Sequence, residues 1–369
     1  MKIRDNIYSV GVVDGNVRVF HGYQTPVGTS YNAYLVLDEK VTLIDFVKAP
    51  FGEEFAANIR EVLGDRSPDY IICNHVEPDH SGALPLITSL FPDAPVYGTA
   101  NCQKELAAYY PDSRYQFVTV KAGDSLCTGR YTFDFLPVPM VHWPDSMATY
   151  LREEKILFSN DALGQHIGTG ERTDEELSLE YLLDRAGDYY ANIVNPFGPQ
   201  VQKVLQALSA LDIELVCPSH GVTLGRFLPQ MLEKYAFWSA GGVDETRALV
   251  IYDTMWGTTA KLAAQIADEY RGRGLSVEVI NLSEQHYSYA MARLLEAKYA
   301  AIGSPTLNNN VMPSVAAFLT YMKGLKPKNK VGMAFGSYGW SGESIKQIQD
   351  FLHSAGFEAT EPRKALWNI

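Results

Sequence analysis

The string Asn74-His75-Val76-Glu77-Pro78-Asp79-His80 puts two imidazoles and two carboxylates into one loop. Burying so many ionisable groups together brings desolvation and like-charge repulsion that a cation offsets. That requirement restricts the fold more than any other feature, because the loop has to open onto a site. Its flanks fix how it is mounted. The apolar run Asp69-Tyr70-Ile71-Ile72-Cys73 ahead of it reads as a buried strand, and Ser81-Gly82-Ala83-Leu84-Pro85 behind it reads as a helix start. Alternate residues of an extended segment point the same way, so His75, Glu77 and Asp79 are expected to converge beyond the strand end. A lone His or Asp in such a place is ordinarily a turn residue or a helix cap. Four together, with distant partners of the same kind, read as a metal socket.

Three further loops supply those partners. The strand Thr132–Pro139 ends at Met140-Val141-His142, the strand Lys155–Ser159 at Asn160-Asp161, and the strand Leu215–Pro218 at Ser219-His220-Gly221. Imidazole suits iron and zinc, whereas carboxylates favour harder, more oxidised ions. A carboxylate such as Asp161 can bridge two ions about 3.5–4 Å apart, so the four loops together offer ligands for a metal pair.

The second half carries a different pattern. After Ala240-Gly241-Gly242-Val243-Asp244, which reads as a linker, strands alternate regularly with helices. The strands are 248–252, 276–280, 299–302 and 330–335, and the helices are 259–271, 290–297, 313–323 and 343–355. This is a doubly wound parallel sheet, and the division expected is 1–243 and 244–369. Three strand ends carry small, hydroxyl and aromatic residues: Thr254, Met255, Trp256, Gly257, Thr258 and Thr259; Pro305, Thr306, Leu307, Asn308 and Asn309; Ser337, Tyr338, Gly339, Trp340, Ser341 and Gly342. Any one such loop is an ordinary turn. All three fall on the carboxyl edge, where open α/β sheets bind ligands. There is no Gly-x-x-x-x-Gly-Lys and no Gly-x-Gly-x-x-Gly, which disfavours ATP and dinucleotides. A hydroxyl-rich loop before a helix suits the phosphate of FMN, and Trp256, Tyr338 and Trp340 suit its ring.

Composition narrows the partners. The 369 residues carry a formal charge of −12, which argues against nucleic acid and anionic membranes. No apolar run is long enough to span a bilayer, and Met1-Lys2-Ile3-Arg4-Asp5 lacks the apolar core of a signal peptide. Cys73, Cys102, Cys127 and Cys217 are scattered without a Cys-x-x-Cys pair. That excludes a rubredoxin-type centre within these residues and fits a reducing, cytoplasmic setting. A metal pair and a flavin in one chain imply electron transfer followed by multi-electron reduction of a small molecule.

The ligand loop resembles that of the metallo-β-lactamase superfamily, whose usual form is His-x-His-x-Asp-His. Here Glu77 stands where that pattern has its second His, which adds a hard oxygen donor and moves preference from zinc towards ferric charge. The pattern His-x-Glu-x-Asp, with His142, Asp161 and His220, resembles the flavodiiron proteins. So do Gly28-Thr29-Ser30-Tyr31-Asn32-Ala33-Tyr34, His142-Trp143-Pro144-Asp145-Ser146-Met147 and Tyr189-Tyr190-Ala191-Asn192. The resemblance implies an α/β and α+β chain: an N-terminal αββα metallo-β-lactamase-like sandwich, then a doubly wound flavodoxin-like domain. It assigns His75, Glu77 and His142 to one iron and Asp79 and His220 to the other, with Asp161 bridging. His80 is kept outside the ligand set.

On resemblance alone, His21 and Tyr190 line the substrate pocket; read from sequence, His21 is equally an ordinary buried histidine. His166 is expected to be structural, and His286 and His353 exposed. The activity implied is reduction of dioxygen to water, of nitric oxide to nitrous oxide, or of both. The partners implied are a rubredoxin-like donor or its reductase, and a second copy in a head-to-tail homodimer or a dimer of dimers. Some family members instead couple oxidation of a deazaflavin coenzyme to dioxygen reduction, and no residue bears on that. The alternative is a zinc-dependent hydrolase fused to a flavodoxin-like module, which Glu77 disfavours. An empty metal pocket is disfavoured by the full set of donors. A flavodoxin-like unit normally ends with a fifth strand and a closing helix. Arg363 to Ile369 can supply the strand, and the helix is expected to be absent.

Overall fold

Runs of β-branched and aromatic residues build two sheets in the first of two compact units, which spans residues 1–18, 25–186 and 200–234. A computed structural model describes residues 1–367. The first sheet has seven strands in chain order: β1 (Lys2–Arg4), β2 (Ile7–Ser9), β3 (Tyr34–Val36), β4 (Thr42–Ile44), β5 (Tyr70–Ile72), β6 (Val96–Gly98) and β7 (Phe117–Thr119). β1 to β4 pair antiparallel. β4 to β7 pair parallel, which requires crossovers. These are α1 (Gly52–Leu63), α2 (Pro78–Ser81) with α3 (Leu84–Leu90), and α4 (Ala100–Tyr109).

The second sheet runs β8 (Ser125–Cys127), β9 (Thr132–Pro137), β10 (Met147–Leu151), β11 (Ile156–Asn160) and β12 (Leu215–Pro218). Only β11 and β12 are parallel there. One core joins the two sheets: Tyr34, Val36, Ile44 and Ile72 of the first pack in one cluster with Phe133, Phe135, Met147, Leu151 and Phe158 of the second. The unit is therefore a sandwich of two sheets with crossover helices; three further helices follow β11 in the chain, α5 (Leu179–Tyr189), α6 (Gly198–Leu208) and α7 (Leu228–Ser239).

Register places the four ligand loops. Ile44 lies opposite Ile72, so the chain leaves β4 at Asp45 beside the point where it leaves β5 towards Asn74. Asn160 lies opposite Pro218, so Asp161 and His220 emerge at the same end of the second sheet. The amide of Met147 donates to the carbonyl of Asn74 (2.9 Å), which ties the start of β10 to the His75 loop. Tight backbone contacts close the same region. A Cβ on Gly168 would lie 2.5 Å from the amide nitrogen of Thr29 and 2.7 Å from the carbonyl carbon of Gly28. Gly168→Ala is accordingly expected to destabilise the unit by about 1–3 kcal/mol, read as a lower midpoint in urea.

The second unit contains residues 235–369 with the short segments 19–24 and 187–199. Its sheet runs β14 (Ser276–Asn281), β13 (Asp244–Tyr252), β15 (Ala297–Pro305), β16 (Val331–Tyr338) and β17 (Glu358–Ala359), with β18 (Arg363–Leu366) also beside β16, all parallel. One face packs on α8 (Thr258–Gly272) through Ala263, Ile266, Ala267 and Tyr270. The other packs on α9 (Tyr287–Leu294), α10 (Pro313–Leu325) and α11 (Glu343–Ser354). This is a doubly wound flavodoxin-like topology. β18 supplies the expected fifth strand; Asn368 and Ile369 lie outside the described residues.

Two segments from the first half of the chain pack in this unit. Tyr287 donates to the carbonyl of Gly22, and Tyr321 donates to Asn192 Oδ1 (2.8 Å). Residues Tyr190–Val194 wind as a single π-helical turn. No helix among the described residues is long and apolar enough to cross a membrane.

Candidate functional site

The His75 loop does not stay extended. It runs out from β5 through His75 and Glu77, and then Pro78 opens the short helix α2, with Glu77 at its N-cap. Proline at the first helical position is preorganised for that turn. The expected convergence of His75, Glu77 and Asp79 is thereby corrected. The turn separates Asp79 and His80 from His75 and Glu77, and the ligands fall into two groups. His75, Glu77, His142 and Asp161 offer atoms within 4.8 Å of one another, and Asp79, His80 and His220 form the second group.

Asp161 faces both. Its Oδ2 lies 3.5 Å from His75 Nε2 and 3.2 Å from His142 Nε2. Its Oδ1 lies 3.0 Å from His80 Nε2 and 3.6 Å from His220 Nε2. Glu77 Oε2 is 3.3 Å from both His75 Nε2 and His142 Nε2. Asp79 Oδ2 is 3.2 Å from His80 Nε2 and 3.3 Å from His220 Nε2. His80 therefore belongs with the second group, although the sequence reading left it outside.

Several of these contacts are close without being hydrogen bonds. Both oxygens of Asp79, Oδ1 of Asp161 and both ring nitrogens of His80 are buried and make no hydrogen bond. Buried polar atoms are nearly always satisfied. Donor atoms that crowd together while remaining unsatisfied, split between two groups sharing one carboxylate, fit a pair of cations.

The electrostatics agree. Burial opposes charging His75, yet the carboxylates of Asp145 and Glu77 outweigh it and its pKa is raised. Burial likewise works against His80, but Asp79 and Asp161 hold its pKa up at about 9. His142 is raised against burial by Asp161 and Glu77. Burial pushes Glu77 upward, and His142 and His75 overcome it to bring the carboxyl down to about 2. Asp79 and Asp161 are lowered despite burial, chiefly by the charge of His80. The carboxylates stay ionised and demand positive charge, which protons or metal ions can supply.

Partners that sequence reading did not single out orient the ligands. Asp145 Oδ2 lies 2.9 Å from His75 Nδ1 and accepts from the amide of Val76 (2.8 Å). Asp45, buried and with a left-handed backbone (φ 59°), accepts from the amide and side chain of Asn74. His220 Nδ1 is 2.7 Å from the Ser30 carbonyl and 3.2 Å from Thr29 Oγ1, which also contacts His166 Nδ1 (2.6 Å). His166 is buried, with its ring 4.9 Å from that of His220. Asp145 stands three residues after His142, but nothing in that spacing says that it reaches back to His75.

The other singled-out residues lie in the second unit. His21 is exposed and left-handed (φ 48°) with its ring 4.2 Å from Phe20, so the buried-histidine reading does not hold. Tyr190 is buried between Tyr235 (5.1 Å) and Trp238 (5.2 Å), its hydroxyl makes no hydrogen bond, and burial raises its pKa. His353 is exposed, while His286 is half-buried as the N-cap of α9, accepting from the amide of Ser288.

The three flavin loops lie at the carboxyl ends of β13, β15 and β16. Thr254, Met255, Trp256 and Gly257 connect β13 to α8, and Gly257 takes the left-handed N-cap (φ 81°) that lets the helix start. Thr258 Oγ1 there is buried without a hydrogen bond, and Thr259 Oγ1 lies 2.8 Å from Ser337 Oγ. Pro305 ends β15, and Thr306 to Asn309 turn back with Asn308 and Asn309 left-handed. Ser337 and Tyr338 end β16, followed by Gly339, Trp340, Ser341 and Gly342. Trp256 and Trp340 are 58% and 83% exposed, which leaves two large aromatic side chains open in the loops after β13 and β16. A phosphate at α8 and a planar ring against these indoles suit the loops.

Residues 29–221 match the model of the ODP family beta lactamase, and residues 250–366 match the flavodoxin model. The nitric oxide reductase of Moorella thermoacetica is 41% identical over 96% of this chain and 90% of its own length. Among solved structures, the rubredoxin oxygen:oxidoreductase of Desulfovibrio gigas superposes with a TM-score of 0.96 at 38% identity, over 99% of this chain and 92% of that one. The flavodiiron protein of Giardia intestinalis also gives 0.96, at 34% identity over 100% of this chain and 91% of that one.

Proposed function

The chain belongs to the flavodiiron proteins, and from that premise we propose that it reduces dioxygen to water, nitric oxide to nitrous oxide, or both, at the centre bridged by Asp161. It is an oxidoreductase with FMN and a non-haem iron pair as cofactors, and not a zinc hydrolase. The observation that carries the reading is the division of Asp161, with Oδ2 facing one group of ligands and Oδ1 the other.

When bound, the iron pair supplies two redox equivalents and open coordination positions, and FMN supplies single electrons. The residues hold and orient. His75, Glu77 and His142 would hold the first ion and Asp79 and His220 the second, with Asp161 shared between them and His80 beside the second; the grouping of their donor atoms supports this. Thr29 and the Ser30 carbonyl fix His220 so that Nε2 faces the site. In the second unit, the N-terminus of α8 would receive the FMN phosphate, with Thr254, Thr258 and Thr259 as its hydroxyl donors. The loops at Pro305–Asn309 and Ser337–Gly342, with Met255, Trp256 and Trp340, would hold the ring. His21 and Tyr190 are proposed as substrate-side residues on family likeness.

A rubredoxin-like protein or its reductase is the proposed donor. The proposed assembly is a head-to-tail homodimer, alone or paired into a dimer of dimers, and light scattering of the holo-protein tests it. A cytoplasmic location fits four free cysteines.

The test is elemental analysis followed by anaerobic turnover of the reduced protein with each gas. Two irons and one flavin per chain with consumption of at least one gas are expected; zinc with no consumption of either overturns the reading. Glu77→His probes the same point. Exchanging a hard carboxylate for imidazole is expected to raise the zinc-to-iron ratio of the purified protein and to suppress turnover.

A further inference from the structure

We propose that Asp145 is a positioning residue that lowers the potential of the iron held by His75, Glu77 and His142. The inference rests on the reading of those residues as iron ligands. Asp145 is fully buried, and one oxygen, Oδ2, takes both the His75 Nδ1–H (2.9 Å) and the Val76 amide (2.8 Å). Its loop is pinned by α4: Thr99, the N-cap of that helix, donates to the Asp145 carbonyl (3.0 Å), and Asn101 donates to the Pro144 carbonyl (2.9 Å).

A carboxylate behind a ligating histidine fixes its tautomer and raises its basicity. Iron loses one electron on oxidation, so a fixed negative charge at this distance favours the ferric form.

Asp145→Asn isolates the charge. The amide oxygen can accept both N–H groups as Oδ2 does, and its NH₂ falls where Oδ1 lies buried with no hydrogen bond. In the full-length holo-protein, the variant is expected to bind two irons at saturation but to lose about 10–100-fold in iron affinity against a chelator. One iron midpoint potential is expected to rise. A tenfold loss of ferric-over-ferrous preference is about 59 mV for one electron. The FMN potential serves as the unmoved internal reference. Unchanged affinity and potentials in Asp145→Asn, with two irons bound by the unmodified protein, overturn this inference alone. An unmodified protein that binds no iron overturns the underlying reading instead. Should the variant fail to fold, the unmodified reduced protein decides. A hyperfine-shifted imidazole N–H of His75 that is slow to exchange in D₂O supports the Asp145 bond, and its exchange within seconds refutes it.

Discussion

Replacing Asp161 with alanine is expected to empty both groups of ligands of iron and to end gas reduction, while leaving FMN bound. Asp161 faces both groups: Oδ2 lies 3.2 Å from His142 Nε2, and Oδ1 lies 3.0 Å from His80 Nε2. Removing one member of a buried set of charges costs about 3–5 kcal/mol, because its partners are left uncompensated. At about 1.4 kcal/mol per decade, that corresponds to roughly a 10²–10⁴-fold loss of iron affinity. His142→Ala offers the contrast. It removes one donor from the first group only and is expected to leave the second ion in place. Iron and flavin per chain, with oxygen and nitric oxide electrodes, measure all of this. An Asp161→Ala protein that keeps two irons and full turnover shows that the bridge lies elsewhere.

The parts of this centre that sequence displays are those built from local order. Strand ends followed at once by His, Glu or Asp identify the four loops, because an apolar run and the ligand after it are neighbours in the chain. The regular alternation after Asp244 likewise gives the parallel sheet and its three carboxyl-edge loops. What depends on three-dimensional return was not legible. The turn at Pro78, which divides the ligands between two groups, needs a helix of only four residues (Pro78–Ser81), too short to show a period. His80 joined the second group for the same reason.

Asp145 and Asp45 act across the fold, at separations of 70 and 29 residues from their partners, and no spacing rule reaches so far. The strand Met147–Leu151 is buried at every residue, so it shows no alternation to distinguish it from the loop before it. The helix Leu228–Ser239 carries Tyr235 and Trp238 into the second unit's aromatic cluster, and this mixed burial blurs its amphipathic face.

Stability of the second unit is expected to rise between pH 7 and pH 10, and Lys330→Met is expected to remove most of that rise. Lys330 is only 3% exposed, and its Nζ donates to the carbonyls of Leu295 and Ala297, each at 2.8 Å. Burial pushes its pKa from 10.5 down to about 7, partly opposed by the nearby Glu296 carboxylate. Between those values the unfolded chain binds a proton that the folded chain does not, so stability increases with pH across the window. Below about pH 7 both states are charged and the full burial penalty applies. Above about pH 10.5 both are neutral and the penalty is gone.

Each pKa unit corresponds to about 1.4 kcal/mol, and the expected rise is about 2–5 kcal/mol. Methionine keeps the length of the side chain but strips the two carbonyls of their donor, at about 1–3 kcal/mol for each left unsatisfied. The variant is therefore expected to fall furthest behind at high pH, where the native lysine is neutral yet still donates. Urea midpoints of both proteins at half-unit steps from pH 6.5 to 10 read the difference directly. Cysteines and histidines titrate alike in the two, so they cancel. Parallel curves would mean that Lys330 keeps its proton throughout, held by the two carbonyls and Glu296 more firmly than burial expels it.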